Sequence, residues 1–532
     1  MLRIDVTLPL GFTKNDIENK IESVFPVGRE DIRGAELLKL TLNTADKGNI
    51  CYRAAIGVTF DSELEEKFSK RKKVCSPVPS LEFSYGAYRA PELRPVVVGA
   101  GPCGLFAALT LAEVGARPIV LERGGCIDDR DKKVNAFLHG GELDPECNVQ
   151  FGEGGAGTYS DGKLKAGSLN KYKYKILKEF IEAGATHDIL YSSTAHLGTD
   201  KLGSIVKNLR KKITDNGGEF IFDAKMTDIV TEDGALCGIV YTKGGESRTI
   251  PCREAILAIG HSARDTHGML YARGIKMIAR GFGIGMRVEH PREYINELVY
   301  GKNHDSRLES ASYHLVTHLK SGRSVYSFCM CPGGTVVPAA SESGSVVTNG
   351  MSSFARDAQN SNSALLVSVT PEDFGVDHPL AGFELQRRIE QSAYALTEEH
   401  GRFVAPSFTV GELVHGTSHG GSITVTPSYP LGTAHVDPDH YLPSYIKESL
   451  RESFSDFDAW MGGFYLPEAT LTGPETRTTS PVRILRGELS RECISLRGLY
   501  PSGEGAGYAG GIVTSAYDGV LSALSLLEKY KK

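Results

Sequence analysis

Apolar and polar residues alternate from Leu2 to Leu8 (LRIDVTL), the period of a half-buried strand. Thr13 opens a stretch in which Ile17, Ile21, Val24 and Phe25 recur at helical spacing, so a helix is expected to begin there. Leu37 to Leu42 and Tyr52 to Phe60 read as two more strands, and the charged run Glu63 to Lys72 as a second helix. This order predicts a small N-terminal α+β (βαββα) module over residues 1–90. The connector VCSPVPSLEFSYGAYRAPELRP closes it, with the Pro and Gly content of a boundary. Beyond it a strand–turn–helix is followed by further strands and helices to about residue 270. The stretch from about 275 to 475 is strand-rich with Gly-, Ser- and Pro-bearing turns, and a glycine-rich turn near Gly503 leads into a last helix, Ile512 to Lys531.

The strand–turn–helix carries the first chemistry. In RPVVVGAGPCGLFAALTLAEVGARPIVLER, Val96 to Val98 form a buried parallel strand, and Gly99, Gly101 and Gly104 give G-x-G-x-x-G. The first glycine makes the tight turn, the second admits a pyrophosphate, and the third lets the helix pack on the strand. That helix starts near Pro102 and Cys103 and aims its free N–H groups at the phosphates. Cys103 reads as a small packing residue in the turn rather than a redox thiol. Ile119 to Leu121 make the next strand, and Glu122 at its tip is placed to accept both hydroxyls of an adenosine ribose, with Arg123 near adenine or solvent.

The fingerprint alone does not separate FAD from NAD, and two distant segments favour FAD. FGEGGAGTYSDGKL, from Phe151 to Leu164, packs Gly152, Gly154, Gly155 and Gly157 where backbone N–H groups meet a large planar or phosphorylated ligand, with Thr158, Ser160 and Asp161 adding hydrogen bonds. LYPSGEGAGYAGGI, from Leu499 to Ile512, places Gly503 and Glu504 for a ribityl chain. Gly511 and Ile512 open a helix whose N-terminus stabilises charge on a reduced flavin. Glu254 to Gly260 reads as a buried strand ending at a glycine near the cofactor. Gly218 to Val230 reads as a strand passing the adenine, with Met226 either touching it or packing in the core. The domain expectation is therefore 91–275 as the first part of an FAD-binding Rossmann domain, 276–475 as an inserted mixed α+β substrate or cap domain, and 476–532 as the C-terminal return.

Composition narrows the classes. A formal charge of −6 argues against general nucleic-acid binding, and the basic run Lys70 to Lys73 reads as a solvated helix end. The N-terminus lacks the pattern of a secretory signal. The uncharged stretch Val96 to Ala112 is short for a membrane span and broken by glycines and a proline. The 10 cysteines are scattered in neither a disulfide framework nor a zinc spacing, so no metal is expected and a reducing cytoplasm fits best.

By VVVGAGPCGLFAALTLAEVG, NVQFGEGGAGTYSDGKL, AILAIGHSARDT, IGMRVEHPREYIN, YSFCMCPGGTVVPAASESGSVVTNGMS and YPSGEGAGYAGGIVTSAYDG, the chain resembles two-dinucleotide-fold flavoproteins. More narrowly it is similar to the uncharacterised bacterial FAD-dependent dehydrogenase (NAD(P)/FAD-dependent oxidoreductase) family, from about residue 95 to 520. The resemblance implies FAD, a glutathione-reductase-like nucleotide domain and a family-specific second domain. It implies no substrate.

Catalytic candidates are scattered. No Cys-x-x-Cys or Cys-x4-Cys sits beside the flavin motifs, which disfavours a disulfide reductase mechanism. Cys329 and Cys331 alternate on a strand, so both thiols are expected on one face, as inert core residues or where they could meet flavin, substrate or each other. His261 and Arg264 sit in a turn after the Glu254–Gly260 strand that is expected to be exposed and to supply an acid or an anion-binding arginine, or equally to cap a helix through Ser262 or Asp265. Arg287 is expected on one strand face with Glu289, as a structural pair or a substrate clamp, and Arg477 is a further candidate for an acidic substrate. Gly281, Gly283 and Gly285 have the wrong spacing for a second fingerprint, so any NAD(P)H would bind transiently at the flavin. The leading expectation is hydride transfer between flavin and a small organic substrate. A flavin monooxygenase is the nearest alternative, and a flavin-bearing RNA-modifying protein or a non-catalytic redox sensor the alternatives of another class.

Overall fold

The computed structural model describes residues 1–72, 74–164, 167–416 and 425–532, so Lys73 of the basic run lies outside the described residues. In the N-terminal module the strand Leu2–Pro9 lies antiparallel to Cys51–Thr59, with Leu2 opposite Val58, and Gly34–Asn43 flanks the latter. Thr13 caps the helix Lys14–Val24: its hydroxyl accepts from the Asp16 N–H, and the Asp16 carboxylate accepts from the Thr13 N–H. Phe25 packs at 5.0 Å from Phe60 and 4.8 Å from Phe68, which is how this small unit closes a core of its own. The second helix is Ser62–Ser69, shorter than the Glu63–Lys72 expectation, and Lys70 beyond its end is exposed and paired with Glu66. The module is sewn to the rest through Leu40, whose N–H donates to Tyr191 and whose carbonyl accepts from Ser193.

A five-stranded sheet runs Leu499–Pro501, Ala255–Leu257, Val96–Val98, Ile119–Leu121, Glu219–Ile221, and each neighbouring pair is parallel. Such a sheet is buried on both faces, and the unbroken apolar strands of the sequence follow from that. The helices Pro102–Glu113, Thr199–Asp215 and Ile512–Leu527 share one apolar core on it. The last helix stops at Leu527, and a 3-10 turn, Glu528–Tyr530, replaces the expected final turns. Gly218 to Val230 is not one strand. The chain breaks at Asp223 (φ +54°), so Glu219–Ile221 joins the parallel sheet while Lys225–Glu232 joins a separate antiparallel sheet with Ala235–Lys243 and Glu246–Pro251.

Residues between 282 and 475 build a seven-stranded sheet, ordered Val316–His318, Ser324–Cys331, Asn360–Val369, Phe282–Pro291, Thr470–Glu475, Ala405–Thr409, Thr433–His435. The glycine run that fails as a second fingerprint lies at the head of its central strand. A Cβ on Gly285 would sit 1.8 Å from the Leu365 carbonyl oxygen, so glycine is needed there for strand packing. The helices Ala381–Thr397 and Ser444–Trp460 contribute to the core of this sheet. The molecule is thus mixed α/β. Among the described residues no helix is long and apolar enough to cross a membrane.

His290 ends the central strand fully buried, its Nε2 3.0 Å from the Phe464 carbonyl and its Nδ1 without a partner. Burial holds its imidazole down at about 4, from an ordinary 6.5. The unfolded chain therefore takes up a proton that the folded chain refuses. Stability is expected to fall as pH drops from 6.5 towards 4, by roughly 1.4 kcal/mol per pH unit from this residue alone. Urea midpoints across that window check it, since His290→Asn should flatten the slope. An unchanged slope would remove His290 from the account.

Candidate functional site

The three glycine-rich segments read from the sequence converge on one cavity of about 440 Å³. Gly99, Gly101, Pro102 and Cys103 line it from the first turn, with Glu122, Arg123 and Met226 along one side. Gly155, Gly157, Ser160 and Asp161 face them, and Gly260, Glu504, Gly511 and Ile512 complete the wall. Two helix N-termini, at Pro102 and Ile512, open onto the same space, where their free N–H groups favour negative charge.

Whether this space suits a dinucleotide is decided by what the glycines leave open. The backbones of Gly101 and Gly155 approach so closely that a Cβ on Gly155 would stand 2.9 Å from Gly101 Cα, while Cβ atoms on Gly260, Gly510 or Gly511 would meet nothing within 4 Å. A narrow glycine-walled slot thus leads to a wider chamber, at whose wall the buried His261 Nε2 has no hydrogen-bond partner. Slot, paired helix termini and orphaned nitrogen fit a pyrophosphate joined to a larger ring system.

Four residues expected at the cofactor stand behind the wall instead. A Cβ on Gly104 would sit 1.8 Å from the Gly99 carbonyl oxygen, so this glycine serves the helix–strand contact. Gly154 donates to the Ala100 carbonyl at 2.8 Å, which ties the two glycine loops together, and Thr158 is buried beneath it. Gly503 donates to Asp518 at 2.8 Å. Glu122 does line the cavity, but its carboxylate already accepts from the N–H groups of Ala100, Gly124 and Gly152 at 2.8, 2.9 and 2.9 Å. A carboxylate has about four lone-pair sites, so it retains room for one ribose hydroxyl rather than two. Asp161 is gripped by Arg356 at 2.9 Å and a shorter second bond of 2.6 Å, which leaves it a fixed counter-charge more than a ligand donor.

Arg123 stacks 3.9 Å over Phe151 and bridges Glu146 and Asp265, with Lys225 joining both acids. Asp265 is therefore an ion-pair partner that also accepts from the Thr266 N–H, and Ser262 donates to Gln150 instead of capping the helix Arg264–Ala272. The turn after Gly260 is largely buried, not exposed as expected.

The catalytic candidates separate. His261 and Cys329 reach the cavity; Arg264, Arg287, Cys331 and Arg477 do not line it. Arg264 and Arg477 converge on Glu390, which is fully buried, with contacts of 2.7 to 3.2 Å. Arg287 pairs across the sheet with Glu475 at 2.5 and 2.9 Å, while Glu289 bonds to Asn360 and Ser428. The expected same-face pair is absent because the neighbouring strand supplies a nearer acid. Simple alternation also fails at the cysteines. The pairing register shifts between Phe328 and Cys331, and Cys329 is left-handed at φ +42°, so its side chain lines the cavity while Cys331 is buried behind it.

Sequence reasoning missed several contributors. Arg130, fully buried, donates to five carbonyls, those of Asn148, Val149, Gly152, Glu153 and Gly155, and so shapes the glycine loop. Nothing in the local pattern marks it, since its helix reads as an ordinary amphipathic one. Tyr326 and Phe328 from the seven-stranded sheet close the cavity at its far side, together with His314 from the segment before the strand Val316–His318 and Lys163 from the loop.

A parallel nucleotide-binding sheet, two helix termini on one slot and a second sheet over the chamber define a flavoprotein. The profile described as "FAD-dependent protein, C-terminal domain-like" matches residues 281–478, and FAD is the cofactor. The chain belongs to the same family as an uncharacterised protein of Clostridium beijerinckii, 43% identical over 530 residues, which cover 99% of this chain and 98% of that protein. Among solved structures it is similar to the quinol fumarate reductase FrdA of E. coli, at 13% identity over 82% of this chain and 70% of that one, with a TM-score of 0.32. It is also similar to the 3-ketosteroid-delta4-(5alpha)-dehydrogenase of Rhodococcus jostii RHA1, at 15% identity over 84% and 98%, with a TM-score of 0.35.

Proposed function

We propose that this chain is an FAD-dependent oxidoreductase that transfers a hydride between flavin and a small organic substrate. The observation that carries this reading is the shared cavity in which the glycine segments meet residues of the seven-stranded sheet. Residues 91–275 and 476–532 would hold the cofactor, with the pyrophosphate between Gly101 and Gly155 and the ring towards Gly260 and Gly511. Residues 276–475 would cover the ring face and exclude water. When bound, FAD supplies a two-electron acceptor or donor.

The chain's own groups then position and move protons. His261 Nδ1 lies 3.7 Å from Glu504, and its free Nε2 is available to a substrate proton. Tyr326 and Phe328 offer flat apolar surface, which favours an unsaturated or cyclic substrate. Lys163 lines the chamber 3.4 Å from Asp161, whose carboxylate Arg356 also holds.

The test is anaerobic mixing of the purified yellow protein with NADH and with NADPH, following flavin absorbance. Saturable bleaching by one of them, with recovery on adding an organic acceptor, is the expected result. A flavin bleached only by dithionite, and reoxidised by no organic acceptor faster than by dissolved oxygen, would favour a redox sensor.

A further inference from the structure

Cys329 and Cys331 stand out as nucleophilic groups that the proposed hydride transfer does not use. Cys329 lines the cavity in a left-handed backbone conformation that a residue with a Cβ rarely adopts, and such conformations concentrate at functional positions. The buried Cys331 thiol folds back and donates to the Cys329 carbonyl at 3.2 Å. Behind the pair, the fully buried Arg287 donates to the same Cys329 carbonyl at 2.9 Å and holds a guanidinium nitrogen 3.9 Å from Cys331 Sγ. The neighbouring Cys331 side chain outweighs burial at Cys329, and Arg287 and Lys163 add to it, so Cys329 is drawn below the ordinary thiol range; its interaction with Cys329 and burial push Cys331 up. A cavity-lining cysteine whose thiol is drawn down, beside a recessed cysteine whose thiol is pushed up, is the arrangement of a redox dithiol rather than of two inert core cysteines.

We propose that Cys329 and Cys331 form a dithiol–disulfide couple that exchanges two electrons with the flavin. The proposal rests on the reading above that FAD occupies this cavity. In the oxidising direction the Cys329 thiolate and the Cys331 thiol lose two electrons and one proton as the Sγ–Sγ bond forms. Oxidised FAD takes both electrons and that proton and becomes its singly protonated reduced form. The reverse step regenerates the thiols at the expense of reduced flavin. The couple is a reservoir for a second electron pair, and Arg287 holds it in register with the cavity. The couple differs in spacing from Cys-x-x-Cys and Cys-x4-Cys: a register shift falls between Phe328 and Cys331, and Cys331 Sγ reaches the Cys329 carbonyl at 3.2 Å.

The experiment uses the full FAD-loaded protein, oxidised with diamide and freed of reagent. Anaerobic dithionite titration should then consume twice as much reductant per flavin in the wild type as in Cys331→Ser or Cys329→Ser. In parallel, alkylation of the denatured protein with N-ethylmaleimide and peptide mapping should find Cys329 and Cys331 protected after oxidation and both modified after reduction. The mapping needs no variant, so it stands even where a serine at the buried position prevents folding. It also works on protein stripped of FAD. Equal reductant uptake in wild type and variants, or both cysteines modified after oxidation, overturns the couple. A protein that carries no FAD while its cysteines still cross-link overturns the cofactor placement instead.

Discussion

Gly101→Val should give a folded, colourless protein. In the structure a Cβ at residue 101 meets only the Gly155 backbone, Cα at 3.6 Å and N at 4.0 Å, and Gly101 has an ordinary φ of −77°, so a larger side chain strains neither backbone nor fold. Its branches would instead fill the slot between the two glycine loops. We expect FAD affinity to fall by at least about 100-fold, equivalent to roughly 3 kcal/mol. Retained flavin after gel filtration, measured as absorbance per protein, reads this directly. Gly104→Ala provides the contrast. Its Cβ would collide with the Gly99 carbonyl oxygen at 1.8 Å, so it should lower thermal stability as well as flavin content. A Gly101→Val protein that stays fully yellow would show that the pyrophosphate lies elsewhere.

The second large effect is expected at Glu390. It lies on the helix Ala381–Thr397 against the seven-stranded sheet, and it binds Arg264, from the helix after the parallel sheet, and Arg477, from the returning chain. Thr476 donates to it at 2.6 Å, and Gln386 supports Arg264 at 3.1 Å, so the carboxylate ties the two sheet assemblies together. Glu390→Ala leaves both buried guanidiniums without this partner and should cost about 3–5 kcal/mol of stability. Burial pushes the Glu390 carboxyl up, but Arg477 and Arg264 prevail and hold it well below the usual carboxylate range. The folded value is therefore the lower one. Its stabilisation is complete above the unfolded carboxyl's value of about 4.3 and is lost only as pH falls further, through the folded value. Denaturant midpoints of wild type and variant should differ by a constant amount from pH 8 to 5 and converge only in stronger acid. A gap that closes near neutral pH would assign the stabilisation to another group.

Elements with a local signal can be read along the chain without its fold. Continuous apolar runs at Val96–Val98 and Ile119–Leu121, a glycine fingerprint between them and Thr13 before a 3.6-residue repeat each encode their element through nearest neighbours. For the same reason the lining positions Gly99, Gly101, Glu122, Gly155, Glu504 and Gly511 were legible: phosphate cradles need glycine and helix termini in short, recognisable strings. Tertiary structure alone decided which charges meet. Arg264 and Arg477, far apart in the chain and equally plausible as substrate clamps, are neutralised by Glu390 because two sheets pack together there. Arg287 chose Glu475 over the nearer-in-sequence Glu289 because strand pairing brings that carboxylate alongside. The cavity wall at Tyr326, Phe328 and Cys329 likewise depends on a register shift that periodicity cannot express. Backbone conformation follows from local sterics and solvent preference. Charge pairing and cavity lining follow from distances set by packing, which one chain's linear order does not contain.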